Sequence, residues 1–331
     1  MTRARMSRRQ LLLSGTAAAA ALTFAGSVFA QAAYPNRPIR LIVPFAAGGS
    51  TDLSARLVAE FAGRELGQPI VVENKGGAGG SVGMEQVAKS DPDGYTIGMA
   101  TVSTHGSNPA VYPKLKYDPI KDFAPVTNVV AIPSVFAVHP SVPARTMQEF
   151  IALAKANPGK YTFASPGAGS LGHVNIENFM MLAHIELLHV PYKGAGLALN
   201  DAVAGQVNAI TDNLSSTLPH VKSGRLRALA VLGASRSPQL PGVPTYAELG
   251  YKDMGEGGWF GIVAPAGTPS AVVMRLNQAI HKAMQNSEFK RKVEESGGTL
   301  VPTTPDQFKV QIQQAMARYA RVAKAASIKL D

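Results

Sequence analysis

Gly48-Gly49-Ser50-Thr51-Asp52 combines backbone freedom with three hydrogen-bonding side chains, a set suited to holding a small anion. The five residues lie between an apolar β-branched run, Ile39 to Val43, and a segment in which Leu53, Leu57, Val58 and Phe61 recur at helical spacing. Ser50, Thr51 and Asp52 are N-cap types, and a helix that starts there leaves several backbone N–H groups pointing into the glycine turn. A carboxylate or a phosphate can accept from them. The hydroxyls of Ser50 and Thr51 both donate and accept, so capping and ligand contact are compatible. Asp52 would repel an anion from within a pocket and is expected to cap the helix or brace the turn, unless the ligand carries an amine.

Three other chemistries compete with anion capture. Gly77-Ala78-Gly79-Gly80 invites a nucleotide reading, but it lacks the Gly-Lys-Ser/Thr ending of a P-loop, and Val82 stands where a dinucleotide fingerprint requires its third glycine. Ala168-Gly169-Ser170-Leu171-Gly172 approaches a nucleophile elbow, with His173 nearby, so an exported serine hydrolase using Ser170 is the main enzymatic alternative. Its weakness is Ala168, which occupies the place of the first glycine. The seven histidines, at 105, 139, 173, 184, 189, 220 and 281, are spread singly, and none has the His-x-x-x-His spacing of a helix-borne zinc site. Neither a metal nor a cofactor is expected.

The elements that would position these loops alternate in type. Strands are expected at 39–43, 70–73 and 95–101, each followed by a small polar loop at its C-terminal end and separated by helices that stop at Gly67 and near Asp91-Pro92-Asp93-Gly94. In open α/β sheets that edge is where ligands bind. Val129 to Val138 is an apolar run broken by Pro133, which suits a strand leaving one sheet for another. A second βα series follows. It comprises a helix capped by Thr146 and Glu149, strands at 161–165, 187–190, 207–211 and 226–232, and loops carrying Ser165 to Ser170, Tyr192 with Lys193, and Asp212 with Asn213. Trp259 to Ala264 returns as a strand before two closing helices, the last with Thr304, Pro305 and Gln307 as its start signal. The expected fold class is α/β with two lobes, each a mostly parallel sheet flanked by helices. Residues 31–133 and 255–331 form lobe 1, and residues 134–254 form lobe 2. Such lobes can close on a ligand by hinge motion.

Composition fits an exported protein and not a nucleic-acid binder. Arg3, Arg5, Arg8 and Arg9 precede the apolar stretch Leu11 to Ala25, and Val28-Phe29-Ala30 offers a cleavage site, so residues 1–30 are expected to be a removable export signal. Ser7-Arg8-Arg9-Gln10-Leu11-Leu12 also fits the twin-arginine pattern. The whole chain of 331 residues has 32 basic and 22 acidic residues; without the four signal arginines the balance is 28 to 22, or +6. That excess is scattered, with no basic block interleaved with aromatics, so no nucleic-acid partner is expected. There is no cysteine, hence no disulfide and no thiolate metal site.

A longer set of motifs carries a family resemblance. Pro44-Phe45-Ala46-Ala47-Gly48-Gly49-Ser50-Thr51-Asp52, Glu73-Asn74-Lys75-Gly76-Gly77-Ala78-Gly79-Gly80 and Pro92-Asp93-Gly94-Tyr95 occur in order. Ser165-Pro166-Gly167, His189-Val190-Pro191-Tyr192-Lys193-Gly194, Pro241-Gly242-Val243-Pro244-Thr245 and Ala264-Pro265-Ala266-Gly267-Thr268-Pro269 follow. Together they resemble the Bug-type periplasmic receptors of tripartite tricarboxylate transporters. The resemblance implies a non-enzymatic, monomeric Venus-flytrap protein of the periplasm that grips a small organic carboxylate and delivers it to membrane permease subunits. The ligand classes it implies are mono-, di- and tricarboxylates, aromatic acids and acidic amino acids; a sensor feeding a signalling partner would use the same chemistry. Carried over by position, first-lobe contacts fall on Phe45, Ala47, Gly48, Gly49, Ser50, Thr51, Asp52, Ala78, Gly79, Thr101, Ser103 and His105. Second-lobe contacts fall on Ser165, Gly167, Ala168, Gly169, Ser170, Tyr192, Lys193 and Asp212. Phe45 and Tyr192 are expected as pocket walls, and Lys193 as the one cation in a pocket loop. Ala47 and Gly76 depart from the family, in which many relatives have proline.

Overall fold

Strand β1 (Ile39–Val43) buries every residue but Arg40, whose Nε reaches Glu73 Oε1 on the parallel neighbour β2 (Ile70–Asn74) at 2.7 Å. The computed structural model describes residues 34–330, so the expected export signal lies outside the described residues. From Arg37 onward the chain forms one compact unit. Helix α1 (Ser50–Leu66) connects β1 to β2 and ends at Gly67, whose left-handed backbone (φ 70°) closes the last turn. α2 (Ser81–Ala88) leads to β3 (Thr96–Thr101), which pairs with β1 on its other side. A π-helical turn (Ser103–Ser107) then runs into the short α3 (Asn108–Val111).

β4 (Phe123–Ile132) belongs to the first sheet and β5 (Ser134–Val138) to the second, with Pro133 between them. The second sheet adds β6 (Thr162–Ser165), β7 (Leu188–Pro191), β8 (Ala209–Asn213) and β9 (Arg227–Leu232). Its helices are α4 (Met147–Ala156), α5 (Leu171–Ala183), α6 (Ala195–Val203) and α7 (Leu214–Lys222). β10 (Gly258–Pro265) returns to the first sheet, followed by α8 (Ser270–Met284), α9 (Ser287–Glu295), β11 (Thr299–Leu300) and α10 (Pro305–Ala325). The strand orders are β11-β4-β10-β3-β1-β2 and β7-β6-β8-β5-β9.

The two α/β lobes are as expected, but both sheets are mixed rather than mostly parallel. Parallel pairs are confined to β2-β1-β3 and β7-β6-β8, and every antiparallel pair involves β4, β5 or β10, the strands that pass between the sheets. The reason is topological. β5 and β10 enter their sheets from the cleft and so run against strands whose carboxyl ends reach it.

Local expectations were met unevenly. Thr304 and Gln307 form a full capping box at α10, whereas at α4 Thr146 accepts the Glu149 N–H and the Glu149 carboxylate accepts the N–H of Arg145, one residue early. α1 is not capped by a side chain at all: Gly49 is its N-cap, and Ser50, Thr51 and Asp52 are buried inside its first turn. β8 runs through Asn213, so Asp212 and Asn213 end a strand instead of forming a loop. The second-lobe core is built on Phe136, Phe150, Phe163 and Phe179. The first-lobe core, around Ile42, Met84, Trp259 and Phe308, also takes in Leu171 and Val174 of α5, so apolar packing is continuous from one lobe to the other. No helix among the described residues is long and apolar enough to cross a membrane.

Candidate functional site

Between the sheets lies a cavity of about 20 Å³, room for about one water. Its lining comes from both lobes: Phe45, Gly49, Ser50, Thr51, Thr101, Val102 and Ser103 from the first, Ser134, Pro166, Leu171, Gly172, Ala195, Asp212 and Asn213 from the second, and Gly258, Trp259 and Phe260 from the returning strand. Four helix starts converge here. Gly49 and Ser50 open α1, Leu171 and Gly172 open α5, Ala195 opens α6, and Asn213 is the N-cap of α7. Each start carries roughly half a positive charge and free N–H groups, and the lining contains no lysine, arginine or histidine. The lining therefore consists of backbone, hydroxyls and one carboxylate, that of Asp212, walled by three aromatic rings.

The lobes are shut on one another. Ser50 Oγ lies 2.8 Å from Ser216 Oγ and accepts the Ser216 N–H at 3.1 Å. Ser103 Oγ accepts the Leu171 N–H at 3.0 Å, Ser107 Oγ donates to the Gly169 carbonyl at 2.8 Å, and Tyr112 OH donates to the Ala168 carbonyl at 2.8 Å. Ala46 N–H donates to the Lys193 carbonyl at 3.0 Å. Backbone meets backbone along this seam: a Cβ at Gly76 would overlap the Lys193 carbonyl, one at Gly196 the Ala47 carbonyl, and one at Gly79 would stand 2.5 Å from the Ala168 oxygen. In this closed arrangement Ser50 and Ser103, which line the cavity, also tie the lobes together.

Asp52 does not face the cavity. Its Oδ2 accepts from the Gly48 N–H and from Arg56 Nε, both at 3.0 Å, and its Oδ1 accepts from Asn74 Nδ2 at 2.9 Å. Burial alone would raise its pKa, but Arg56, Gly48 N–H and Asn74 together hold it below the ordinary carboxylate value. It braces the turn, which is one of the two roles its sequence position allowed. Asp212 is the opposite case. It is only 4 % exposed, it accepts a hydrogen bond from Ser216 Oγ, and burial pushes its pKa up to about 7 against the pull of that bond and of the Asn213 N–H.

Of the residues singled out from the sequence, Phe45, Gly49, Ser50, Thr51, Thr101, Ser103 and Asp212 line the cavity. Ala47, Gly48, Ala78, Gly79, Gly167, Ala168 and Gly169 lie on the seam or its loops without lining it. Ser165 Oγ is engaged by His189 Nε2 at 2.7 Å and by the Gly167 N–H. His105 is wholly buried behind the site, its ring against Phe123 and Tyr117 and its Nδ1 on Thr104 Oγ1 at 2.9 Å. Tyr192 is not a wall of the cavity; its hydroxyl donates to Asp201 Oδ2 at 2.6 Å. Lys193 points to solvent, and only its carbonyl takes part in closure.

Val102, Ser134, Pro166, Leu171, Gly172, Ala195, Asn213, Gly258, Trp259 and Phe260 also line the cavity and were not among the contacts expected from the sequence. The available signal was Pro133, because strands that cross between lobes must border the cleft. The hydrolase alternative fails on geometry: Ser170 Oγ caps α5 by accepting the His173 N–H at 3.4 Å, while the His173 ring turns its Nδ1 to the Gly169 N–H at 3.1 Å. No imidazole is set against the hydroxyl as a base. Among the described residues no cluster of three or more His, Cys, Asp or Glu is placed to hold a metal.

Comparison with known proteins agrees with the two-lobed fold. Residues 54–328 match the family described as "Tripartite tricarboxylate transporter family receptor". Protein BugT of Bordetella pertussis is 39% identical over 298 residues, 90% of this chain and 91% of that protein. An R. palustris protein solved with adipate is 34% identical, with a TM-score of 0.86 over 89% of this chain and 99% of its own. MatC from Rhodopseudomonas palustris, solved with bound malate, is 33% identical, with a TM-score of 0.84 over 87% and 99%.

Proposed function

The chain belongs to the tripartite tricarboxylate transporter receptor family, which consists of non-enzymatic periplasmic binding proteins, and on that premise we propose that it captures a small organic carboxylate in the cavity between its lobes. The observation that carries this reading is the convergence of four helix starts from both lobes on one cleft whose lining has no basic side chain. A carboxylate bound there accepts from N–H groups of both lobes at once, so the ligand itself favours closure. Adipate and malate in the two related structures are carboxylates of the expected size class.

The ligand enters an opened form in which the bonds of Ser50 and Ser103 across the seam are broken, and it takes over their donors as the lobes close. Residues 1–30 direct the chain to the periplasm. Lobe 1 (31–133 and 255–331) and lobe 2 (134–254) rotate about the crossings near Pro133 and before Gly258, and the closed form presents the ligand to membrane permease subunits.

A thermal-shift and calorimetric screen of mono-, di- and tricarboxylates, aromatic acids and acidic amino acids tests the reading. A ligand present at about a thousand times its Kd adds about 4 kcal/mol to stability, a shift of several degrees. Absence of any shift across the panel would sink the proposal.

A further inference from the structure

We infer that the cleft selects carboxylic acids that also carry an ammonium group, and that Asp212 receives that ammonium. The inference rests on the carboxylate-capture reading and narrows it. Asp212 is the one ionisable side chain in the cavity lining, at the end of β8 and beside Asn213, the N-cap of α7. Among the described residues no lysine, arginine or histidine forms an ion pair with it, in contrast to Asp52, which has Arg56. Its one side-chain partner is the Ser216 hydroxyl, which donates to Oδ2 and stands next to Ser50 on the other lobe. A buried carboxylate without a countercharge is costly, and the cost is relieved by proton uptake or by an incoming cation. Burial does push the Asp212 pKa up to about 7, which marks an unmet demand for positive charge at this point.

The lining makes two opposed demands. The helix starts of α1, α5, α6 and α7 favour a negative group, whereas the Asp212 carboxylate, beside the start of α7 and linked through Ser216 to Ser50, disfavours one next to itself. A plain dicarboxylate with an end against Asp212 sets an anionic group against an acid. A ligand with both charges meets both demands, its carboxylate on N–H groups and its ammonium on Asp212. A 2-hydroxy acid offers Asp212 a hydrogen bond but leaves its charge uncompensated.

The test is calorimetry at pH 8 with three-to-six-carbon mono- and dicarboxylic acids, each alongside its 2-amino and 2-hydroxy analogue, on the wild type and Asp212→Asn. In the wild type at least one amino acid is expected to bind ten-fold or more tightly than both its parent and its hydroxy analogue. In Asp212→Asn that amino acid should weaken at least ten-fold while the parent acid is unchanged or tighter. The inference is overturned if parent or hydroxy acids bind at least as well as the amino acids throughout, which leaves carboxylate capture standing, or if Asp212→Asn weakens parent and amino acid equally. Should no acid bind at all, carboxylate capture falls as well. The wild-type comparison decides the matter even if the variant does not fold.

Discussion

Ser50 Oγ, in the first turn of α1, lies 2.8 Å from Ser216 Oγ on α7, and this pair joins one lobe to the other at the rim of the cavity. Ser50 also accepts the Ser216 N–H, so one hydroxyl makes two contacts across the seam. Each such bond is worth about 1 kcal/mol net. Ser50→Ala removes both and is expected to shift the ligand-free equilibrium toward the open form by about thirtyfold. Small-angle scattering would register a larger radius of gyration than for wild type, and identical curves would show that the pair does not hold the lobes.

Closure also depends on glycine. Gly196 lies in the first turn of α6, and a methyl group there would overlap the Ala47 carbonyl of the opposite lobe. Its helical backbone accepts alanine without strain. Gly196→Ala should therefore leave the ligand-free melting temperature within a few degrees of wild type while weakening ligand binding at least tenfold. Calorimetry with the tightest acid from the screen measures this, and unchanged affinity would mean that closure tolerates the extra atom.

How much of this was legible beforehand depended on range. The strand, glycine turn and helix around Gly48 to Asp52 follow from local pattern, and that loop does line the cavity through Gly49, Ser50 and Thr51. Trp259 and Phe260 were legible as a returning strand but not as cavity wall, because their place is set by β10 inserting between β3 and β4. His105 was carried into the site by its loop. The π-helical turn at Ser103–Ser107 instead buries its ring against Phe123, a rotation that short-range spacing does not reveal. Ser50 was legible as a helix-start residue, but its partner Ser216 lies 166 positions away and depends on docking of the lobes.

Lys193 looked like the pocket cation, yet its side chain is exposed and only its carbonyl touches the other lobe, at Ala46 N. A solvated lysine outside the lining adds little to a ligand held by helix starts. Lys193→Ala is expected to change carboxylate affinity less than twofold at physiological salt. A loss of tenfold or more in calorimetry would reinstate it as a ligand contact.

Asp212 makes a separate prediction for stability. Its pKa is about 7 in the folded chain against an ordinary 3.8, so between those values the folded state holds the extra proton and stability declines as pH rises. Asp212→Asn removes that decline. In chemical denaturation the ligand-free variant should be more stable than wild type at pH 8, by on the order of 2–4 kcal/mol. The advantage should shrink steadily toward pH 4. A constant difference across that range would mean that the carboxylate is compensated in the folded protein.

His105 pulls in the other direction. Burial pushes its pKa down to about 3, and it has no acidic neighbour to reverse this: its ring packs on Phe123 and Tyr117, its Nδ1 meets Thr104, and its Nε2 has no partner. His189 is likewise pushed to about 3, first by burial and then by His173, whose ring stacks on it at 4.1 Å. Both rings are neutral in the folded chain and protonate near pH 6.5 when unfolded. Their stabilisation is complete above that value and is lost as pH falls toward 3. Lowering pH from 7.5 to 4.5 should cost about 2–3 kcal/mol per ring, outweighing the opposite contribution of Asp212. His105→Phe keeps an aromatic ring against Phe123 and removes the titrating group. Its stability should fall less than that of wild type over the same interval in urea denaturation, and an equal fall would place the acid sensitivity elsewhere.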